Sequence, residues 1–399
     1  MSISKSAENL IGKAQDGKDL NRKEIIQLLS LPAKYSPELF SAADKVRKEQ
    51  VGDEIFLRGI IEFSNHCERN CLYCGLRKGN ANLSRYRMSE DEIIATAEQI
   101  KNTGVPTVVL QSGEDSFYSQ DIVCRLIERI RKETDLIITL SIGERALNDY
   151  KAFQQAGANR YLLKHETASL ELYRYLRPGC EWEYRLQCLR RLKELGFETG
   201  TGNMVGLPGQ TPEILADDLL VMKLLDADML GIGPFIAHPD TPLAGIGNDD
   251  LELTLRVLAL VRLITRNTNI PATTALATLH PQGRLLALQA GANVVMPDFT
   301  PEIYKTRYDI YPGRTDVGPA VEIIIRLEKD FQSIGRFINY SIGHRQVKRK
   351  ENFRPVFFPS ILCSFLLEIT VIRRDDRFSD TAITSPVYIN FFQLPFQSS

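Results

Sequence analysis

The sequence lacks a surplus of charge of either sign, because its 49 lysines and arginines are balanced by 50 aspartates and glutamates. A chain with a formal net charge of −1 gives no reason to expect a nucleic-acid or acidic-membrane partner. The chain also lacks any run of 18 apolar residues, so no membrane span is expected. Its apolar content of 43% and charged content of 25% are those of an ordinary globular protein.

Cysteine is scarce and odd in number, since seven residues cannot all pair. No secretory signal is recognisable, so a disulfide framework is not expected, and the reducing cytoplasm is the expected compartment. Three of the seven, Cys67, Cys71 and Cys74, lie in EFSNHCERNCLYCGLR with C-x3-C-x2-C spacing. A structural zinc site closes with four ligands, and the nearby imidazole of His66 is badly placed to supply the fourth because it is adjacent to Cys67.

Three thiolates on one tight loop can hold three irons of a four-iron, four-sulfur cluster and leave the fourth iron without a protein ligand. An electron-carrying cluster has all four corners filled, so the missing cysteine predicts an iron that binds a small molecule. This spacing, directly after a predicted strand, resembles the radical S-adenosylmethionine (SAM) superfamily. The resemblance implies one [4Fe-4S] cluster on Cys67, Cys71 and Cys74, at which SAM binds and is split by one electron into methionine and a 5′-deoxyadenosyl radical.

The order of predicted elements indicates an α/β fold of the (βα)8, TIM-barrel type. Residues 1–50 read as helices without strands, and Asn21 with Glu24 predicts a capping box. Strand-like segments then alternate with helical ones, one of which begins at Thr211 and Pro212. Eight parallel units imply a closed barrel with its chemistry at the carboxyl ends of the strands. The candidate strands are residues 55–64, 107–113, 136–143, 160–166, 197–206, 227–235, 270–278 and 292–298.

Three regions are therefore predicted: an N-terminal helical cap (1–50), a radical SAM barrel (51–345) and a tail (346–399). The tail shows neither helical nor strand periodicity, and its apolar stretch PSILCSFLLEITVI is too short to span a bilayer. A strand, a partner contact, disorder and a shifted reading frame all remain open for it. No function is assigned to the tail.

SAM presents an amino group, a carboxylate, a ribose diol and an adenine, and the predicted strand ends offer a partner for each. Gly113 lets backbone approach a ligand closely, and with Glu114 it resembles the Gly-Glu motif that holds the SAM amino group. The carboxylate of Glu166 can accept both ribose hydroxyls, and the planar fork of Arg185 suits the SAM carboxylate. Taken singly, these residues are equally compatible with an ordinary turn or a solvated charge. The other predicted SAM contacts are Tyr73, Gln111, Ser141 and Met204.

Polar residues within the predicted strands indicate a cavity rather than a filled barrel. Thr199, Thr201 and Asn203 share one face of a strand, because side chains alternate with period two. At inward positions such groups are costly unless they are bonded, and the same holds for Thr139, Ser141, Thr273 and Thr274. Hydroxyls bonded to the barrel backbone are the alternative. Arg58 and Arg160 have no obvious acidic partner in their strands, so an anionic substrate is expected to pair with them.

Four motifs together resemble a narrower family. RGIIEFSNHCERNCLYCGLR, VVLQSGED, KHETAS with LYRYLRPG, and GNMVGLPGQT are similar in this combination to the HydE family, the radical SAM maturases of [FeFe]-hydrogenase. The resemblance spans about residues 20–340 and implies a complete barrel with SAM and cluster at the top of a long internal cavity. By matching motif it implies a substrate pocket lined by Thr139, Thr273, Thr274, Met296, Tyr308 and Tyr311, and Arg58 and Arg160 fit an anion there.

The resemblance also implies a role in building the di-iron subcluster of the hydrogenase H-cluster. The substrate of the family is a small anionic iron complex that carries carbonyl, cyanide and cysteine and is made by a radical SAM tyrosine lyase. Transient contact with that lyase and with a scaffold GTPase is therefore expected. Some members hold a second, dispensable cluster, but the matching stretch RYDIYPGRTDVGPAVE has no cysteine, so one cluster is expected here.

Three alternatives stay open. A methylornithine synthase has the same barrel and cysteine spacing. A biotin-synthase-like sulfur insertion would need residues to hold a second, sulfur-donating cluster. The motifs CYCGLR and LQSGED argue against both enzymes. A non-catalytic iron–sulfur or zinc carrier predicts no SAM binding and leaves Glu166 without a purpose.

Overall fold

The computed structural model describes residues 3–246, 250–313 and 318–346. Three helices precede the first strand: α1 (Ile3–Gln15), α2 (Arg22–Leu29) and α3 (Ser36–Val51), the last after a 3-10 turn at Ala33–Tyr35. The predicted capping box of α2 is confirmed, because the Asn21 side chain accepts from the Glu24 amide and Glu24 accepts from the Asn21 amide. The predicted tail lies outside the described residues except for residue 346.

Eleven short strands are present in the described ranges, and every pairing between them is parallel. They are β1 (Glu54–Leu57), β2 (Gly59–Ser64), β3 (Thr107–Ser112), β4 (Ile137–Ser141), β5 (Arg160–Leu162), β6 (Glu198–Thr201), β7 (Met204–Val205), β8 (Met229–Leu230), β9 (Gly233–Pro234), β10 (Val294–Val295) and β11 (Phe337–Asn339). Three predicted strands are split in two, and two of the breaks lie where the backbones at Gly202 and Gly231 approach closely. A Cβ added at Gly202, for example, would lie 2.1 Å from the Gly231 carbonyl oxygen.

The strands close into a barrel. Six of them lie side by side in the order β2-β3-β4-β5-β6-β8, and β1 pairs with β10. Residues 269–271 fill the position between β8 and β10, with bridges from Met229 to Asn269 and from Pro271 to Val294, and Ile60 bridges Asp298 to complete the ring. The predicted (βα)8 architecture is confirmed.

Helices on the outside connect the parallel strands, as parallel pairing requires. Their bounds are α4 (Glu90–Asn102), α5 (Gln120–Thr134), α6 (Leu147–Ala156), α7 (Leu170–Leu176), α8 (Trp182–Glu194), α9 (Pro212–Leu224), α10 (Leu251–Thr265), α11 (Thr274–Leu279), α12 (Gly283–Gln289), α13 (Glu302–Lys305) and α14 (Ala320–Ser333). Helix α2 packs on α9 and α3 packs on α10, so the N-terminal helices and the barrel form one compact unit. Among the described residues, no helix is both long and apolar enough to cross a bilayer.

The seventh predicted strand, residues 270–278, is wrong over most of its length. Only the start of this segment lies in the barrel wall, and the chain turns into α11 at Thr274, with Thr273 as its N-cap residue. The run TALATL is rich in alanine and leucine, which favour a helix, and this local preference prevails over the β-branched residues before it.

The polar stripe on the fifth predicted strand faces the helices rather than the cavity. Thr201 Oγ1 accepts from the His165 amide, and the Asn203 side chain donates to Asp218 on α9. A Cβ at Gly200 would instead meet Leu162, which lines the cavity, so the glycine is on the inward face. The expectation that Thr199, Thr201 and Asn203 point inward is therefore wrong. The hydroxyls of Thr199 and Thr201 are hydrogen-bonded within the wall, whereas Asn203 Oδ1 is buried without a partner.

Arg160 lies at the base of the barrel. Its Nε is 2.6 Å from Glu198 Oε2, and its Nη2 donates to the Ile342 carbonyl oxygen at 3.0 Å. Its side chain is fully buried and Glu198 is 21% exposed. The acidic partner, Glu198, lies in a predicted strand. The residues of the two strands do not reveal that they pair with Arg160 opposite Glu198. The assignment of Arg160 to the substrate pocket is corrected on this ground.

We expect Glu198→Gln to lower the free energy of unfolding of the iron-free protein by about 2 kcal/mol, because it leaves the buried Arg160 cation without its counter-charge. Burial raises the pKa of Glu198, but Arg160 and His344 together hold that pKa below its usual range. A depressed pKa contributes stability above the unfolded-state pKa and loses it in acid, so the difference between the two proteins should shrink as pH falls. Urea unfolding measures this difference in the free energy of unfolding, and Glu194→Gln is the control because Glu194 is exposed. Equal stabilities at neutral pH would contradict the ion pair's importance.

Candidate active site

The cysteine loop begins after β2 and is docked on several other segments through its backbone. The Leu72 amide donates to the Leu176 carbonyl oxygen of α7 at 2.9 Å, and the Gly75 amide donates to the Ile310 carbonyl oxygen after α13 at 2.9 Å. The Asn65 side chain donates to the Arg307 carbonyl oxygen at 2.8 Å. These bonds hold the loop in place without any contribution from the cysteine side chains.

Two glycines allow the loop to approach its neighbours closely. A Cβ added at Gly75 would lie 1.9 Å from the Asp309 carbonyl oxygen. A Cβ at Gly113, after β3, would lie 2.2 Å from the His66 carbonyl oxygen and 2.7 Å from Cys67 Cβ. Because any side chain at these positions would displace the loop, glycine is required at both.

The three thiols are protected from solvent in a way that opposes their ionisation. Burial raises the pKa of Cys67, raises that of Cys71 to about 11, and raises that of Cys74 further still. The Glu114 amide donates to Cys67 Sγ at 3.4 Å. Buried thiolates need positive charge beside them, and metal coordination supplies it by displacing the thiol protons.

The donor set fits a four-iron cluster better than a single metal ion. Cys67, Cys71 and Cys74 line one cavity, yet among the described residues no three His, Cys, Asp or Glu side chains are grouped to hold one ion. Zinc draws its ligands to within about 2.0–2.3 Å of one centre. Each thiolate of a four-iron cluster binds a different iron, so its thiolates stand further apart.

An arginine–glutamate network lies beside the cysteines. Glu114 is paired with Arg69, and its Oε1 is 3.4 Å from Arg177 and 3.6 Å from Arg185. Although burial alone would raise it, these three guanidinium groups hold the pKa of Glu114 below its usual range. Arg185 Nε is 2.7 Å from Glu144, but its buried Nη2 has no hydrogen-bond partner. That nitrogen faces Glu114 Oε1 at 3.6 Å without a hydrogen bond, so it can still donate one to an anionic ligand.

Glu166 is held in a backbone conformation that few residues other than glycine adopt. Its φ is 70°, and it bridges Asn203 through bonds from its amide to the Gly202 carbonyl oxygen and from the Met204 amide to its own carbonyl oxygen. The buried carboxylate of Asp218 fixes both sides, because it accepts from the Asn203 side chain and from the Ala168 amide. Backbone strain of this kind accumulates at ligand-binding positions.

These groups surround a cavity of about 360 Å³ at the carboxyl ends of the strands. Sixteen of the nineteen predicted site residues line it, so positions far apart in the sequence converge on one space. They are Cys67, Cys71, Tyr73, Cys74, Gln111, Gly113, Glu114, Ser141, Glu166, Arg185, Met204, Thr273, Thr274, Met296, Tyr308 and Tyr311.

Arg58 and Thr139 lie one layer deeper in the barrel. Thr139 precedes the cavity-lining Ser141 by two residues on β4 and so points to the same side of that strand. Arg58 lies between β1 and β2, two residues before the cavity-lining Ile60. Arg58 Nη1 is 2.7 Å from Met229 Sδ, but its Nε and Nη2, and Thr139 Oγ1, are buried without hydrogen-bond partners. Burial and the nearby Arg160 lower the pKa of Arg58 to about 9, so it remains a cation at neutral pH.

Sequence reasoning missed three charged residues of the site. Arg69 and Arg177 line the cavity, and Glu144 pairs with Arg185 behind it. Arg69 lies between the first two cysteines, and Arg177 lies in the LYRYLRPG motif, for which no function of the arginine was predicted. Their proximity to the predicted residues was the available signal.

Comparison with known proteins gives a consistent result. The family model described as the radical SAM superfamily matches residues 61–221. The [FeFe] hydrogenase maturase subunit HydE of Thermotoga maritima is 50% identical over 298 residues, which cover 74% of this chain and 85% of that protein. The 3-methylornithine synthase of Methanosarcina barkeri is 32% identical over 74% of this chain and 84% of its own length. The crystal structure of a methylornithine synthase superposes with a TM-score of 0.71 at 28% identity, over 83% of this chain and 97% of that chain.

Proposed function

This chain belongs to the radical SAM superfamily and, within it, to the HydE family of [FeFe]-hydrogenase maturases, and we propose that it uses SAM to act on a small anionic iron complex. That complex carries carbonyl, cyanide and cysteine, and its conversion leads towards the di-iron subcluster of the H-cluster. The observation that carries the proposal is the single cavity that the three cysteines share with Glu166, Arg185 and the inner barrel wall.

Cys67, Cys71 and Cys74, which line the cavity, would hold the [4Fe-4S] cluster and would leave one iron without a protein ligand. When bound, the cluster supplies the electron that splits SAM into methionine and a 5′-deoxyadenosyl radical. Around it the protein binds and orients SAM. Arg185 offers Nη2, which makes no hydrogen bond within the protein, to the SAM carboxylate, and Glu166 accepts from the ribose hydroxyls.

Three further parts of the wall complete the SAM site. Gly113 lets the strand end approach the ligand, and the Glu114 carboxylate, kept ionised by its arginines, faces the SAM amino group. Tyr73 and Met204 border the adenine position, and Gln111 and Ser141 supply polar groups lower in the wall.

The substrate would occupy the side of the cavity opposite the SAM carboxylate and ribose contacts. There the lining consists of Thr273, Thr274, Met296, Tyr308 and Tyr311. Below them, Arg58 and Thr139 offer three buried groups without partners, and a buried guanidinium with free donors favours an anionic ligand. The cysteine-derived sulfur of the bound complex would be the site of the radical chemistry that SAM supplies. Transient contacts with a radical SAM tyrosine lyase and a scaffold GTPase would supply the substrate and accept the product.

A methylornithine synthase-like rearrangement is the second candidate, because the 3-methylornithine synthase of Methanosarcina barkeri is 32% identical over most of this chain. The higher identity to HydE, 50%, favours the maturase. Lysine as substrate separates the two candidates, since the synthase should convert it and a maturase should not.

The first experiment is anaerobic reconstitution, followed by iron analysis, low-temperature EPR of the reduced protein with and without SAM, and assay of 5′-deoxyadenosine. We expect about four irons per chain and an EPR signal that changes with SAM. Addition of the tyrosine-lyase product should then stimulate 5′-deoxyadenosine formation, whereas lysine should not. A cluster whose spectrum ignores SAM would favour the carrier instead.

Arg58→Met should separate substrate binding from SAM cleavage. Methionine fills a similar volume without the charge, so we expect an unchanged fold, retained basal SAM cleavage and at least about a tenfold loss of stimulation by the iron complex. Arg58→Lys, which keeps the charge, should retain part of the response. Stimulation by substrate that is equal in Arg58→Met and wild type would remove Arg58 from the substrate site.

A further inference from the structure

Arg177 is fixed at the junction between the cysteine loop and the barrel wall. It directly follows α7, where its amide donates to the Tyr173 carbonyl oxygen and its carbonyl oxygen accepts from the Cys180 amide. The preceding residue, Leu176, accepts the hydrogen bond from Leu72 that docks the cysteine loop. The backbone of Arg177 is therefore anchored to the segment that carries the cysteines.

The Arg177 guanidinium lies between the carboxylates that follow two different strands. Nη2 is 3.4 Å from Glu114 Oε1, after β3, and Nη1 is 3.8 Å from Glu166 Oε1, after β5. Its side chain is 7% exposed, and its carbon Cζ lies 5.6 Å from the centre of the Tyr173 ring. Nε is buried without a hydrogen-bond partner. A planar, permanently charged group with several donors can face two carboxylates at once, which a lysine cannot do equally well.

Arg177 also shares its surroundings with the cysteines. It lines the same cavity as Cys67, Cys71 and Cys74. Arg69, which also pairs with Glu114, is 32% exposed, so solvent screens its charge more strongly. Arg177 is thus a desolvated cation beside three groups that become anionic when they bind iron.

We propose that Arg177 is a positioning residue with two tasks: it holds Glu114 and Glu166 towards the SAM site, and it offsets the negative charge gathered on the cysteine loop. The proposal rests on the function proposed above. A fixed cation stabilises the reduced, more negative form of an iron–sulfur cluster, so Arg177 raises the reduction potential and makes the electron easier to load.

The test compares Arg177→Gln and Arg177→Lys with wild type in the reconstituted full chain. The control is Arg174→Gln, because Arg174 lies on α7 but is 57% exposed and 3.9 Å from its partner Glu183. EPR-monitored redox titration gives the midpoint potential, equilibrium binding gives the SAM Kd, and thermal unfolding of the iron-free protein reports stability.

Arg177→Gln should lower the midpoint potential and raise the SAM Kd by about tenfold or more. Arg177→Lys should restore the potential but only part of the SAM affinity, because it keeps the charge and loses the fork. Arg174→Gln should match wild type. A purely structural role would lower the unfolding temperature of both Arg177 variants without separating them in potential, and that result overturns the proposal.

The outcome also distinguishes this role from the function on which it rests. If wild type binds SAM and Arg177→Gln has the same potential and Kd, the role of Arg177 is overturned while the function stands. If wild type itself does not bind SAM, the proposed function is overturned, and this role with it.

Discussion

Cys71→Ala is expected to abolish cluster assembly and SAM cleavage while leaving the barrel folded. With two thiolates left, the loop cannot hold three irons, and the remaining buried thiols lose the metal that would keep them ionised. The fold should survive because the loop is docked through the Leu72 and Gly75 amides and the Asn65 side chain rather than through the cysteines. Replacing one buried sulfur by hydrogen should change the free energy of unfolding of the iron-free protein by only about 1 kcal/mol.

Iron analysis, visible absorption and 5′-deoxyadenosine assay measure the loss, and far-UV circular dichroism with urea unfolding measures the fold. Cys188→Ala is the matched control, because Cys188 is fully buried on α8 and does not line the cavity. It should keep about four irons and full cleavage. Unchanged cleavage in Cys71→Ala would refute the assignment of the cluster to this loop.

The parts of the site that the sequence predicted are those encoded in short local motifs. C-x3-C-x2-C places three thiols within one loop whatever the rest of the chain does, and Gly113 and Glu166 each follow a strand that could be recognised from its own residues. Strands alternating with helices then imply that all carboxyl ends meet at one end of a barrel. The convergence of the predicted residues on one cavity follows from these two facts.

Pairings between strands were not predictable in the same way. Whether Thr199, Thr201 and Asn203 or Gly200 and Gly202 face the interior depends on a one-residue choice of register, and the alternating pattern is the same for either choice. The ion pair between Arg160 and Glu198 likewise depends on the alignment of β5 with β6. Arg177 was not predicted for a related reason: its partners, Glu114 and Glu166, follow two separate strands.

We expect Glu166 to lower the stability of the fold through its backbone conformation and to strengthen SAM binding through its carboxylate. An L-residue at φ 70° costs on the order of 1 kcal/mol relative to glycine, and the cost is tolerated because Asn203 and Asp218 hold the segment. Glu166→Gly would relieve this strain, although glycine also gains entropy in the unfolded chain. We therefore expect the free energy of unfolding to change by less than about 1 kcal/mol, whereas SAM binding loses two charge-assisted hydrogen bonds and weakens on the order of a hundredfold.

Two further variants separate the side chain from the backbone. Glu166→Gln keeps the shape and the strain but not the charge, so its SAM Kd should fall between those of wild type and Glu166→Gly. Asp135→Gly changes a residue of similar conformation, φ 60°, at the end of α5 outside the cavity, and should leave the SAM Kd unchanged. If Glu166→Gly unfolds more easily but binds SAM as wild type does, the left-handed conformation is structural and Glu166 is not the ribose ligand. A loss of SAM affinity at unchanged stability would mean that the strain is retained for the carboxylate, because only a glutamate at this backbone position directs its oxygens into the cavity.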